Sequence, residues 1–172
     1  SLNPSFINNG VLTLNTKDED KGAWTRITSD NKILFMYPDD VNANDKILTR
    51  RLANGTIDTS FGNNGYIYTK DLFTNNYYPV ILLDKNENIY LAAPQFNPSD
   101  YSIFTSKIIK FNSNGIKDTS FGINAEALLN QIEVQNIIYA NTAELGNGNL
   151  IFTTNNNIPN SASNSIISII PS

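Results

Sequence analysis

Cysteine and histidine are both absent from this chain of 172 residues. Their absence removes disulfides, thiolate nucleophiles, imidazole bases and the usual zinc or copper ligands at once. Most enzyme mechanisms go with them. A basic excess is missing too: 12 Lys and Arg stand against 16 Asp and Glu, a net charge of -4, whereas a protein that follows a phosphate backbone needs positive charge. Nucleic acid is therefore not an expected partner. No apolar run approaches the roughly 18 residues of a membrane span, so no span is expected. The first residues also lack the basic and apolar regions of a signal peptide, which suggests a mature or excised segment, or a protein that stays inside.

Asparagine, by contrast, occurs 28 times. Asn tolerates left-handed backbone and bonds its own turn, which suits a chain of many tight turns. An AT-rich genome writing Asn wherever a polar residue is allowed would give the same count, and both readings stay open.

The phrase Asn54-Gly55-Thr56-Ile57-Asp58-Thr59-Ser60-Phe61-Gly62 returns as Asn114-Gly115-Ile116-Lys117-Asp118-Thr119-Ser120-Phe121-Gly122, and a worn copy, Asn3-Pro4-Ser5-Phe6, opens the chain. The phenylalanines recur at about 55 and about 60 positions, a period in the range of four-stranded propeller blades. Between them lie short runs rich in Val, Ile, Leu, Tyr and Phe, each bounded by Gly, Asn, Asp or Pro, the pattern of a β meander. Strands are expected at 11–16, 23–28, 32–37 and 46–52, then at 66–70, 79–83, 88–93 and 106–111, and finally at 149–154 and 165–170. Residues 126–143 read as strand, with a helical turn or two as the competing reading of 126–132. Tight turns are expected at Asp30-Asn31, Asn54-Gly55, Asn86-Glu87, Asn114-Gly115 and residues 146–148, the Asn-Gly pairs suiting a type I′ turn. Longer polar loops are expected at 17–22, 38–45, 71–78, 94–105 and 155–164. Alternate turns of an up-and-down meander share an end, so these loops should gather on one face and carry any binding site.

Ser beside Asp invites a nucleophile reading of Ser60 and Ser120, but neither has a histidine or nearby lysine base to activate it. The structural reading has Asp58 and Asp118 bonding local backbone in Asx turns. Phe61 and Phe121 would then be wedged between neighbouring blades, and Gly62 and Gly122 would take a backbone angle closed to other residues.

These residues resemble the bacterial delta-60 repeat, a β-propeller-type repeat of secreted and surface proteins. The resemblance rests on Lys32-Ile33-Leu34 and Asn88-Ile89-Tyr90-Leu91, on strands ending in Arg51-Leu52 or Lys110-Phe111, and on the Asn-Gly-x-x-Asp-Thr-Ser-Phe-Gly phrase. It covers nearly the whole chain. Departures are Pro38, Pro94 and Asn155 where a small residue is usual, and a third copy without its own Ser-Phe-Gly. The resemblance implies an all-β, propeller-like array of about three four-stranded antiparallel blades, one repeat domain over 1–172 with repeats near 7–61, 62–121 and 122–172. It implies a secreted or cell-surface location and no catalytic residue. By further similarity to NHL-type blades, 23–28 and 79–83 would line the axis, and 11–16 and 66–70 would form the rim. The chain would then begin with a rim strand lacking its sheet and end with a sheet lacking its rim strand. Three blades would either form an open arc or be completed by a second chain, a homodimer through edge strands.

Candidate ligand-binding residues are Asp18, Asp20, Asp39, Asp40, Tyr77 and Tyr78 in the long loops. Oxygen ligands at alternate positions, Asp40, Asn42 and Asn44, are how calcium loops gather donors, although the Gly and distal Glu of an EF-hand are missing; a solvated acidic loop is the competing reading, and no other cofactor is implied. Tyrosines beside Asn and Asp can stack on sugar rings or anchor a protein. Three functional classes compete. They are a non-catalytic scaffold or adhesion module with a protein partner, a glycan-binding module, and a carboxylate-dependent glycoside hydrolase, for which no copy offers a distinguished acidic pair.

Overall fold

The computed structural model describes residues 1–13, 24–39, 46–70, 72–73, 79–96, 99, 103–129, 142–144, 149–158 and 161–169. Within these the chain is all-β, and it divides into two compact units, residues 1–71 and 72–172.

The first unit opens with a single turn, Ile7–Gly10, in which Asn8 and Asn9 are left-handed with φ of 50° and 55°. Its sheet follows in chain order: β1 (Trp24–Ile27), β2 (Ile33–Pro38), β3 (Lys46–Arg51) and β4 (Tyr66–Tyr68), all neighbours antiparallel. Pairing Thr25, Phe35, Thr49 and Tyr66 across the sheet puts Ile27, Ile33, Tyr37, Ile47, Arg51 and Tyr68 on the same face. The other face carries Leu34, Met36, Leu48 and Ile67, all buried.

The second unit has a matching sheet, β5 (Val80–Leu83), β6 (Ile89–Phe96), β7 (Ile103–Phe111) and β8 (Glu126–Leu129), again antiparallel in chain order. A third sheet has the order β11 (Ser161–Ile169), β10 (Leu150–Ile158), β9 (Thr142–Glu144). One face of the middle sheet, with Val80, Leu82, Tyr90, Ala92 and Ile108, forms a core that also takes in Phe121 and, from the third sheet, Leu150.

The strands expected near 23–28, 32–37, 46–52, 66–70, 79–83, 88–93, 106–111, 149–154 and 165–170 are present. Several run further than expected. Pro38 pairs with Lys46 and Pro94 with Ser106, inside strands rather than at loop starts. Among the described residues β1 pairs with β2 only as far as Met36 and β5 with β6 only as far as Ala92, and an edge is where a strand tolerates the missing N–H of a proline. Likewise 155–164, expected as a loop, extends the β10–β11 ribbon to the Ile158–Ser161 pair. Of the expected strand 11–16, residues 11–13 form no strand and the rest lies outside the described residues, as do 130–141.

The four tight turns among the described residues share one construction, which differs from the type I′ expected of the Asn-Gly pairs; 146–148 lies outside the described residues. The amides of Asn31, Gly55, Glu87 and Gly115 bond back to Thr28, Leu52, Asp84 and Asn112 oxygens, and the next residue closes the hairpin, as Asn112 does with Ile116. Only the third loop residue has positive φ: 62° at Asn31, 88° at Gly55, 62° at Glu87 and 75° at Gly115. This is the three-residue hairpin with a terminal left-handed residue. In two of them the side chain opening the turn seals it: Asp84 Oδ1 accepts from the Asn86 and Asn88 amides, and Asn112 Oδ1 from those of Asn114 and Ile116.

Candidate functional site

The repeated phrase folds into the same corner twice. The Ser60 amide and hydroxyl donate to Asp58 Oδ1 at 3.1 and 2.6 Å, and those of Ser120 donate to Asp118 Oδ1 at the same distances. These are the expected Asx turns. Phe61 and Phe121 are both buried, their amides bonding to the Asp58 and Asp118 carbonyls at 3.1 Å. Gly62 and Gly122 have φ of 52° and 56°, the angle read for them from the sequence, and a side chain there would run into the Tyr66 and Glu126 carbonyls.

A basic residue eight positions earlier completes each corner. Arg50 Nε donates to Asp58 Oδ2 at 2.8 Å and Nη2 to Ser60 Oγ at 3.4 Å. Lys110 Nζ lies 2.9 Å from Asp118 Oδ2. Both cations also sit over the corner phenylalanine, Arg50 at 4.7 Å from the Phe61 ring centre and Lys110 at 5.8 Å from that of Phe121. Tyr90 meets Phe121 edge to face at 5.7 Å, and Lys110 lies 5.7 Å from the Tyr90 ring. The first corner takes a second cation, Lys32, at 3.5 Å from Asp58 and 2.9 Å from Asp30.

Burial pushes the Asp58 carboxyl up, but hydrogen bonds from Ser60 and the Arg50 guanidinium outweigh it and hold the group below its ordinary value. The Ser120 and Lys110 bonds lower Asp118 in the same direction. The Ser60 and Ser120 hydroxyls thus commit their protons to carboxylates that are weak bases. Arg50 and Lys110 were missed from the sequence, although the repeat carries their signal: a basic residue precedes Asp by the same interval in both copies.

Of the candidate ligand-binding residues, Asp39 alone is described. It is half-buried just beyond β2. Asp18, Asp20, Asp40, Asn42, Asn44, Tyr77 and Tyr78 lie outside the described residues, so the calcium loop and the tyrosine pair do too. Among the described residues no three acidic groups gather as a metal would require, and no helix is long and apolar enough to cross a membrane.

A second cluster was not legible in the sequence. Phe35 stacks on Tyr37 at 5.4 Å and Tyr66 lies 6.1 Å from Tyr68 on the same face of the first sheet. Burial, with a further push from Tyr66, raises the Tyr37 hydroxyl to about 12, and the Asp39 charge acts in the same direction. Compared with protein-family models, curated proteins and solved structures, the chain matches none.

Proposed function

We propose that this chain is a non-catalytic scaffold or interaction module of a secreted or surface-exposed bacterial protein, built as a propeller-like array of stacked blades. One observation carries the reading: the polar groups of the repeated phrase bond one another and a basic residue of their own sheet, in both copies. The phrase therefore builds corners, and function falls to exposed faces and loops. The placement of Leu150 in the core of the middle sheet supports stacking of successive sheets. The test has two arms. A panel of chromogenic glycosides and esters is expected to show no turnover, while the immobilised chain retains a protein from a cell-surface extract. Turnover abolished by Asp58→Asn or Asp118→Asn would contradict the reading.

Glycan binding is the second reading, favoured by Tyr37, Tyr66 and Tyr68 sharing a face, with Asp39 near Tyr37. Aromatic faces beside polar groups suit sugar rings. A glycan array that lights up with the native chain and fades with Tyr68→Ala, whose side chain is exposed, would favour it.

A further inference from the structure

Asn-Gly pairs stand at 9–10, 54–55, 64–65, 114–115 and 147–148. In such a pair no Cβ on the second residue shields its amide nitrogen, so the asparagine carboxamide is open to attack from its own backbone. Asn54 and Asn114 hold the same place in equivalent hairpin turns. Asn9 and Asn64 are themselves left-handed, with φ of 55° and 51°, and 147–148 lies outside the described residues. Both turn asparagines are exposed, and the glycine after each is buried and left-handed. The glycine amides are tied alike, Gly55 to the Leu52 oxygen at 2.8 Å and Gly115 to the Asn112 oxygen at 2.9 Å.

The two turns differ at the carboxamide. Asn54 Oδ1 accepts from the Thr56 amide at 3.1 Å and from the Thr56 hydroxyl at 2.7 Å, which directs the side chain at Thr56 and holds it there. The turn around it is pinned as well. Arg51 donates from Nη1 to the Gly55 oxygen at 2.9 Å, the Ile7 amide donates to the Asn54 oxygen at 2.8 Å, and Phe6 and Ile7 pack where a Gly55 side chain would stand. In the second copy Ile116 replaces Thr56 and brings no hydroxyl, while Asn112 replaces Leu52 and its Oδ1 takes the Ile116 amide at 3.1 Å. Phe111 stands in the place of Arg51 and brings no cation. The Asn114 carboxamide is left without a hydrogen bond among the described residues, at a hairpin tip where Ile116 is 61% exposed.

We propose that Asn114 is a site of spontaneous deamidation, with water as the co-reactant, and that Thr56 shields Asn54 from the same reaction. The Gly115 nitrogen gives up its proton and bonds to Asn114 Cγ, the Cγ–Nδ2 bond breaks, and ammonia leaves with that proton. The succinimide ring then takes up one water. Opening at the Cγ–N bond gives Asp, and opening at the main-chain carbonyl gives an isoaspartyl linkage that runs through the side chain; no oxidation or reduction is involved. Because the Gly115 amide must first release the Asn112 oxygen, the reaction passes through local opening of the turn. Once the turn opens, a loose carboxamide is ready to react and a tied one has still to be freed. The isoaspartyl product adds a methylene to the main chain inside a three-residue loop. It acts on the second corner, because the Phe111–Lys117 bridge and the bond from the Asp118 amide to the Lys110 oxygen follow directly from that loop.

Incubation of the folded chain in mildly alkaline buffer, followed by proteolysis and fragment mass spectrometry, reads the conversion of amide to acid at each asparagine. Asn114 is expected to convert about tenfold faster than Asn54, the rate equivalent of the two modest hydrogen bonds that Asn54 alone makes. Exchanging one side chain between the turns should move the effect: Ile116→Thr slows Asn114 and Thr56→Ile speeds Asn54. Both substitutions are at exposed positions, and the far-ultraviolet circular dichroism spectrum should stay unchanged. In urea, where neither turn is held, the two sites should convert at nearly equal rates. Equal rates in the folded chain, or a difference that persists undiminished in urea, overturns the proposal. A rate at Asn54 unmoved by Thr56→Ile overturns the shielding by Thr56.

Discussion

Arg50 and Asp58 form a buried pair, Nε to Oδ2 at 2.8 Å, with side chains 5% and 7% exposed. The equivalent pair of the second copy, Lys110 and Asp118, is wetter at 10% and 25%. The same corner is therefore held with different strength in the two units, because a pair screened by solvent contributes little while one cut off from it is costly to break.

Removing the charge alone should expose this difference. Asn keeps the Oδ1 acceptor for Ser60, so Asp58→Asn leaves the Asx turn and removes the buried charge that faces Arg50, with an expected loss of about 3 to 5 kcal/mol. Asp118→Asn should lose about 1 kcal/mol. Urea unfolding of the two variants checks the order.

The second copy shows what the first can tolerate. Arg50→Lys copies the Lys110 arrangement, giving up the bond to Ser60 Oγ and the planar contact with Phe61 but keeping the ion pair. An expected loss of about 1 kcal/mol, well below that of Asp58→Asn, would be read from the same unfolding curves.

Acid should weaken both corners. Asp58 and Asp118 have folded pKa values below the ordinary carboxylate range, so their contribution is present above the unfolded value of about 4 and is lost as pH falls through the folded value. Melting temperature measured from pH 7 downward should stay level to about pH 4 and then fall, less steeply in the double variant Asp58→Asn, Asp118→Asn.

At the other end of the scale Tyr37 should ionise last. Its folded value of about 12 lies above the ordinary value of 10.0, so its contribution is complete below the ordinary value and is lost as pH rises toward the folded one. Absorbance titration of phenolate is expected to show a late step that Tyr37→Phe removes.

Short apolar runs between turn residues gave away the strands around Ile33–Pro38 and Lys46–Arg51, and the Asp-Thr-Ser-Phe-Gly phrase announced its own Asx turn, buried ring and left-handed glycine. What escaped depended on pairing partners far along the chain. Pro38 and Pro94 look like strand breakers until they are seen paired with Lys46 on β3 and Ser106 on β7. Asn54-Gly55 suits a type I′ turn locally, yet the register across β3 and the Arg51–Ile57 bridge requires a three-residue loop with Gly55 alone left-handed. The tyrosine cluster needs the register of three strands, which no single run reveals.

The central claim is that the repeated phrase is a structural corner locked by the basic residue that precedes it. A double-mutant cycle between Arg50→Met and Asp58→Asn, followed by chemical unfolding, measures that lock most directly. The account predicts a coupling of about 0.5 to 3 kcal/mol between the two positions, the range of contacting residues in one network. A coupling below about 0.5 kcal/mol, the level of independent sites, would contradict it.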